Sequence, residues 1–453
     1  MRTSSPAMGL VVVVGGLLAI TLLAFGVVGS WLDWVVVSQT SSLQPLPSSD
    51  VLGDYLTGVL WAVLLTGVVG IWGGAVRFRG PLLVVWSAKV LAALGFMLFF
   101  DYTYGTDVDG YYGHALLRGF AFEGFEIGKG TENLRTLTWL HLQVLSDSYH
   151  ATRLTFALIG LVAVYLVYRG GVMFLGREDR RLFYVLALSP SVVFWSSIVG
   201  KDPITFFGVS AYVYGVLGWH RAARARYLLW IALGITTAVF VRAWLGPILL
   251  LPLAVLGAGR RAGIMRRAVF VSLGIAGAAA APIVIEMTIG IEAVRYDEVL
   301  ATTNTLARSL EPGGSTLEMP ELSGAGDVIA FAPLGVFTVL FRPLPGEIPT
   351  AFGLMAGLEN AFLLLLLLRV VWRTRLRDLK DPLVVWGLAV VLGWAFFYSF
   401  GTYQNLGTAV RHRVEIYPLL VGLLLYLGRR REDTARGGSG KRWRAGMVAT
   451  GSR

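Results

Sequence analysis

No cysteine occurs in this sequence. That excludes disulfides, thiolate nucleophiles and cysteine metal sites in one step, so any chemistry relies on oxygen and nitrogen groups. Histidine is scarce as well. The five histidines are dispersed and no His-Glu-x-x-His pair is present, so a tight transition-metal site is not expected. Charged residues are only 15% of the chain. A Gly-x-x-x-x-Gly-Lys phosphate loop is missing, and the glycines of GGAVRFRG (73–80) do not follow a strand, so nucleotide-driven chemistry is not indicated.

Apolar residues fill the space that charge leaves. They make up 55% of the 453 residues, and the mean hydropathy of +0.67 is far above that of a soluble domain. Runs long enough to cross about 30 Å of hydrocarbon recur along the chain, bounded by Arg, Pro, Gly or acidic residues. The sequence predicts an all-α polytopic membrane bundle of about twelve transmembrane helices. The spans are roughly 10–36, 51–75, 81–100, 152–168, 182–199, 203–219, 227–242, 245–258, 268–288, 350–370, 382–400 and 414–428. The first run is too long for a signal peptide and lacks a clear small-residue cleavage site, so it reads as a retained helix.

Arg and Lys in the short loops set the orientation, because cations stay on the cytoplasmic side during insertion. With alternating spans, one side holds 27 of the 39 Lys+Arg and only 6 of the 28 Asp+Glu. Both termini are then cytoplasmic, and the protein is expected as a multi-pass protein of the plasma (inner) membrane. The net charge of +11 follows from topology and anionic lipid headgroups and requires no nucleic-acid partner. Residues 1–428 form a single transmembrane domain with two external elaborations, 101–151 and 289–349, and residues 429–453 read as a basic disordered cytoplasmic tail.

The first elaboration begins with an acidic loop, in which Asp101, Asp107 and Asp109 lie among Tyr104, Tyr111, Tyr112 and His114. In ENLRTLTWLHLQVL (132–145), Leu134, Leu137, Leu140 and Leu145 recur at helical spacing, and Trp139 suits the headgroup level, so the segment reads as an interfacial helix. The second elaboration reads as a helix followed by a Gly/Pro/Ser-rich loop, a lid over the external face. The apolar run that follows it, VIAFAPLGVFTVLFRPLP (328–345), reads as re-entrant or interfacial.

Isolated charges recur at the same depth. Lys201 and Asp202 follow the fifth span, Arg242 ends the seventh, Arg342 and Glu347 lie in LFRPLPGE, and Arg411, His412 and Arg413 lie in AVRHR. A charge at the membrane edge is costly and ordinarily faces a cavity or a partner, so this convergence predicts a polar chamber open to the outside. Within the spans, Lys89 and Glu359 are expected to form a buried pair or to line a lipid-phosphate path.

DVDGYYGHA (107–115), an Asp-x-Asp pair followed by Tyr and a small residue in a long external loop, resembles the first loop of the C-type glycosyltransferases. RLTFALIGLVAVYLVYR (153–169) is also similar to that superfamily, while PSVVFWSSIVGKDP (190–203), LFRPLP (340–345) and NLGTAVRHR (405–413) resemble membrane proteins of polysaccharide assembly. The resemblance implies a C-type glycosyltransferase fold, a polyprenyl-phosphate-linked sugar as donor, an external lipid, glycan or protein acceptor, and a catalytic aspartate in the loop.

The residue chemistry agrees with that implication. Sugar transfer from a lipid phosphate needs a base for the acceptor hydroxyl and cations for the departing phosphate. Asp107 or Asp109 supplies the base, and His412 is an alternative proton acceptor. Arg411 and Arg413 are the first candidates for the phosphate, because a guanidinium meets phosphate oxygens as a fork and stays charged. Lys201, Asp202, Arg242, Arg342, Tyr111, Tyr112 and His114 complete the candidate substrate- and phosphate-binding set. No cofactor is expected, although paired carboxylates leave open a divalent cation such as Mg or Mn. Two further readings stand beside this one: a polymerase or ligase of lipid-linked repeat units centred on Arg411, His412 and Arg413, and a flippase or transporter of lipid-linked sugars. The flippase would show inverted repeats, which the sequence does not.

Overall fold

A computed structural model describes residues 51–72, 78–96, 109–117, 124–257, 264–289, 317, 320 and 322–429. The expected first span, Asp101, Asp107, the lid segment up to 316 and the tail beyond 429 lie outside the described residues. Within them the chain is all-helical, with no strand. Six helices are long and apolar enough to cross a membrane: Leu52–Ile71, Arg79–Phe96, Tyr149–Leu175, Arg267–Val284, Ala351–Arg373 and Pro382–Thr402.

In chain order, α1 is Val51–Ile71 and α2 is Arg79–Leu91, which runs on as a π-turn, Ala92–Phe96. A second π-turn, Asp109–Gly113, leads into α3, His114–Leu117. Then come α4 (Gly130–Val144), α5 (Tyr149–Leu175), α6 (Arg180–Ala187), α7 (Pro190–Trp195), α8 (Lys201–Ala222) and α9 (Ala225–Val241). The second half holds α10 (Leu245–Leu250), α11 (Leu253–Gly257), α12 (Ile264–Ile289), α13 (Ala325–Phe341), α14 (Ala351–Arg373), α15 (Pro382–Thr402), α16 (Leu406–Arg413) and α17 (Tyr417–Leu427).

Two predicted spans are each two short helices. Residues 182–199 break between α6 and α7, where Pro190 opens α7 at a first-turn position that needs no N–H. Residues 245–258 break between α10 and α11 at Pro252, which has no N–H to continue the ladder. The run predicted as re-entrant is the single helix α13, 17 residues long, with Pro333 inside it.

The caps account for where the helices begin. Ser148 accepts a bond from the Ala151 amide at α5, Asp179 from Arg181 at α6, Asp381 from Leu383 at α15 and Asn405 from Thr408 at α16. Asp54 of α1 reinforces the start of α5 by accepting from the Tyr149 amide at 2.7 Å and pairing with the His150 ring, which joins the two helices at one end.

α8 and α9 form a tight antiparallel hairpin because glycines line their seam. A side chain at Gly208 would place its Cβ 2.8 Å from the Ala238 amide nitrogen, and one at Gly234 would collide with the Tyr212 backbone. A hairpin puts the first residues of α8 beside the last residues of α9, so Lys201 and Asp202 come to rest next to Arg242. α4 closes over the same end. Gly130 abuts the Val241 carbonyl, and Asn133 donates to the Phe240 carbonyl at 2.6 Å.

A helix, α4, covers most of the predicted leucine stripe, but the buried face differs. Asn133, Leu134, Thr136, Thr138 and His141 face the protein, whereas Leu145 is exposed. In a membrane protein an apolar stripe can face lipid as readily as the core, so the stripe located the helix without naming its inner side.

Candidate functional site

α8, α9, α15, α16 and the turn before α17 converge at one end of the bundle on a cluster of charges. Asp202 is fully buried and joins two arginines: Arg242 Nη2 donates to Oδ1 at 3.0 Å, and Arg411 Nε donates to Oδ2 at 2.6 Å. Arg242, itself 4% exposed, also pairs through Nη1 with Glu415. Glu415 accepts from Trp394 Nε1 at 2.9 Å and from the Tyr398 hydroxyl at 3.1 Å, while Trp244 Nε1 donates to the Tyr398 oxygen at 3.0 Å. Trp394 and Tyr398 stack at 4.3 Å between ring centroids. Every buried charge in the group therefore has an opposite charge and hydrogen bonds, the condition for burying ions at all.

Four of the candidate residues chosen from sequence meet here directly, as Asp202, Arg242, Arg411 and His412, with Lys201 beside them. Lys201 donates to Thr131 Oγ1 at 2.8 Å, which ties the cluster to α4. His412 sits edge-on to Tyr398, 5.2 Å between ring centroids, and its Nδ1 is enclosed with no hydrogen-bond partner among the described residues. Burial first, then the positive charges of Arg242, Arg411 and Lys201, hold this imidazole well below its ordinary pKa, so it is neutral.

Arg411 is the accessible member of the ion-pair set, with its side chain 22% exposed. Its guanidinium carbon lies 5.5 Å from the centre of the Trp195 ring. Beyond it opens a cavity of about 850 Å³ between α2, α7, α14, the loop before α14, and α16. Phe96, Phe194, Trp195, Phe352, Ile348 and Met355 make its walls apolar, and Arg411 is the charged residue among those that line it. Phe96 packs against Phe352 at 4.9 Å and against Phe194 at 5.4 Å, so the wall is a connected aromatic surface.

The expected pair of Lys89 and Glu359 is corrected by the geometry. Lys89 donates to Ser196 Oγ at 2.5 Å and to the Ser196 carbonyl at 3.3 Å, whereas Glu359 accepts from the Ser191 amide at 2.9 Å and hydroxyl at 2.8 Å. The two charges thus bracket α7, with the carboxylate at its amide end and the ammonium at its carbonyl end, in the sense the peptide dipoles favour. Both fix the short helix that carries Phe194 and Trp195 into the cavity wall.

Arg413 is buried and points away from the cluster. Nη1 donates to the Leu340 carbonyl at 2.7 Å and to the Arg342 carbonyl at 3.3 Å, and Nη2 donates to Asn360 Oδ1 at 2.5 Å, so its contacts are those of a tie between α16, α13 and α14. Arg342 pairs with Glu347, Nη2 to Oε1 at 2.7 Å, and this pairing together with the Leu344 amide outweighs burial to hold the Glu347 carboxyl below its ordinary range. Asp107 lies outside the described residues. Asp109 opens the second π-turn, whose Gly110 carbonyl accepts from Arg135 Nε at 2.7 Å. Tyr111 and Tyr112 anchor that turn in a buried group with Leu134, Tyr149, Val199, Ile204 and Val241, and the last three of these neighbour Lys201, Asp202 and Arg242 in sequence. His114 begins α3 and is half-buried.

Sequence reasoning missed Glu415, Tyr398, Trp394 and Trp244. Glu415 had a signal, since it is an acid inside a predicted span (414–428) and such a residue asks for a partner. The aromatic donors carried none, because Trp and Tyr at span ends ordinarily mark the interface. Among the described residues no group of three or more His, Asp or Glu side chains is placed to hold a metal ion.

Compared with protein-family models, curated proteins and solved structures, the chain matches none.

Proposed function

We propose that the chain is a membrane glycosyltransferase that moves a sugar from a polyprenyl-phosphate-linked donor to a lipid, glycan or protein acceptor on the external face of the plasma membrane, in cell-envelope polysaccharide or glycoconjugate assembly. The observation that carries this reading is a large aromatic and aliphatic cavity edged by one accessible arginine, which an ion network holds in place. A polyprenyl phosphate has that shape: a long apolar chain ending in a dianionic or diester phosphate. The chain fits the aromatic wall, and Arg411, oriented by Asp202, meets the phosphate.

Transfer forms a bond from the acceptor oxygen to the anomeric carbon and breaks the bond from that carbon to the phosphate oxygen, which leaves with the electron pair. The acceptor hydroxyl proton passes to a base. Asp109 or Asp107 takes that role in this reading, supported by the packing of the Asp109 turn, through Tyr111 and Tyr112, against Val199, Ile204 and Val241, the sequence neighbours of the cluster, and His412 is the alternative. Arg411 and Lys201 stabilise the growing phosphate charge. No metal step is required by this scheme.

The concentration of ordered groups around Arg411 also supports a second reading, a polymerase or ligase of lipid-linked repeat units, in which His412 is the base and the aspartate pair matters less. One experiment separates them: product formation by purified protein in lipid, supplied with a polyprenyl-phosphate sugar pool. Loss of transfer in folded Asp109→Asn or Asp107→Asn supports the glycosyltransferase scheme. Activity retained in both, with loss in His412→Gln, supports the polymerase or ligase. Activity retained in all of these and in Arg411→Ala refutes both.

A further inference from the structure

At the opposite end of the bundle a second cavity, about 350 Å³, opens between α5, α6, α8, α15 and α17. Its interior is aliphatic and aromatic, with Val213, Leu217, Trp386 and Leu423 in the wall, and its rim carries Arg177, Arg181 and Arg429. We propose that this cavity binds one acyl chain of an anionic phospholipid whose phosphodiester headgroup rests against Arg177 and Arg181.

The charge of the rim argues for an anion. Three guanidinium groups face a single rim carboxylate, Asp179, and that carboxylate already accepts the Arg181 amide at 2.9 Å as the cap of α6. Arg177 and Arg181 are exposed, and neither pairs with a carboxylate among the described residues. Arg429 has its charge partly met by Asp378 at 3.4 Å and its plane lies 3.6 Å from the centre of the Tyr426 ring, so it forms the stiff side of the rim. Arg221, by contrast, donates to the Met173 and Phe174 carbonyls at 3.0 and 3.1 Å and closes the end of α5. A basic rim over an apolar slot between membrane helices is the arrangement that recognises an anionic lipid, since the rim takes the phosphate and the slot takes the chain. A soluble anion would have no use for the slot, and a neutral lipid none for the rim.

The site is independent of the Arg411 cavity and of the proposed transfer reaction, so its test needs no substrate. The full-length protein in a mild neutral detergent is titrated with phosphatidylglycerol or with phosphatidylcholine of the same chains, and lipid retained is read by native mass spectrometry. The proposal expects preferential retention of phosphatidylglycerol, loss of that preference in Arg177→Gln with Arg181→Gln, and loss of the retained lipid in Gly422→Leu. Gly422 lines the cavity and a Cβ there meets open space, so a larger side chain starts without a backbone clash and occupies the slot. Gly422→Leu therefore keeps the test decisive even where the double arginine variant fails to fold. sn-Glycerol 3-phosphate, which carries the headgroup charge without chains, is expected not to displace the lipid. Equal retention of both lipids by the unmodified protein, unchanged retention in Gly422→Leu, or displacement by sn-glycerol 3-phosphate overturns the proposal.

Discussion

Arg411 and Asp202 stand 209 residues apart in the chain and meet through a bond of 2.6 Å from Nε to Oδ2. The carboxylate is fully buried and the guanidinium is 22% exposed, so a hidden group orients an accessible one. Arg242 holds the other oxygen of Asp202, and Glu415 holds Arg242. The middle link depends on the glycine seam of α8 and α9, which sets Asp202 and Arg242 side by side.

Removing Arg242 leaves Glu415 buried without a cation and leaves Asp202 to Arg411 alone. Arg242→Ala is expected to destabilise the folded protein by about 3–5 kcal/mol, the usual cost of breaking a buried pair from one side. Thermal unfolding in detergent or lipid checks this, with Arg411→Ala as the comparison. Because Arg411 reaches solvent, its removal should shift the transition much less while abolishing phosphate-dependent activity. Equal shifts for the two would mean that the network does not have an inner and an outer member.

Gly208→Leu should uncouple the site from outside it. Its Cβ alone would sit 2.8 Å from the Ala238 amide nitrogen and 2.9 Å from the Gly234 carbonyl, and backbone cannot yield as a flexible side chain can. The helices must separate, and Asp202 then leaves Arg242. The expected outcome is a lower melting temperature together with lost transfer. A variant that melts like the unmodified protein would show that the seam tolerates a wider spacing.

Much of this arrangement was legible in the sequence, though unevenly. Lys201, Asp202, Arg242, Arg411 and His412 stood out because a charge at a span edge needs a reason, and the structure brings them to one place. Arg413 looked equivalent to Arg411, but two helical steps of about 100° each turn the two side chains to opposite faces, and Arg413 ties backbone carbonyls instead. Lys89 and Glu359 were visible as buried charges, yet their partners were the two ends of α7, and no pattern along the chain reports which backbone will be nearby. Likewise 182–199 and 245–258 have the composition of spans, while Pro190 and Pro252 divide them. Six helices long and apolar enough to cross a membrane are present among the described residues, and the first predicted span lies outside them.

Acid should weaken the fold through its neutral histidines. Burial, followed by the cations Arg242, Arg411 and Lys201, lowers the His412 pKa well below 6.5. Burial also lowers that of His141, whose ring bonds Thr155 at 2.8 Å and Thr152 at 3.1 Å. The unfolded chain takes up protons as pH falls through about 6.5 and the folded one does not, so stability is full above that value and declines below it. Melting temperature measured from pH 7.5 down to pH 5 should fall, and His412→Gln should flatten part of the slope. A melting temperature that rises on acidification would contradict the assignment of His412 as buried and neutral.

Narrowing the Arg411 cavity should block the donor and leave the fold intact. Ala356 lies on its wall and is half-buried, so Ala356→Phe puts a ring into open volume of about 850 Å³ without removing any contact. Transfer is expected to drop at least about tenfold, corresponding to a loss of about 1.4 kcal/mol, with the melting temperature unchanged. Full activity in this variant would place the lipid chain elsewhere.

In the proposed reading the cavity edged by Arg411 holds a polyprenyl phosphate. The most direct measurement is photocrosslinking of the full-length protein with a polyprenyl phosphate that carries a diazirine near its first isoprene units, with the labelled residues mapped by peptide mass spectrometry. Labels are expected on Phe96, Phe194, Phe352 or Met355, competed by unlabelled polyprenyl phosphate and lost in Arg411→Ala. Labels confined to other surfaces, or labelling of these residues that Arg411→Ala leaves unchanged, would contradict it.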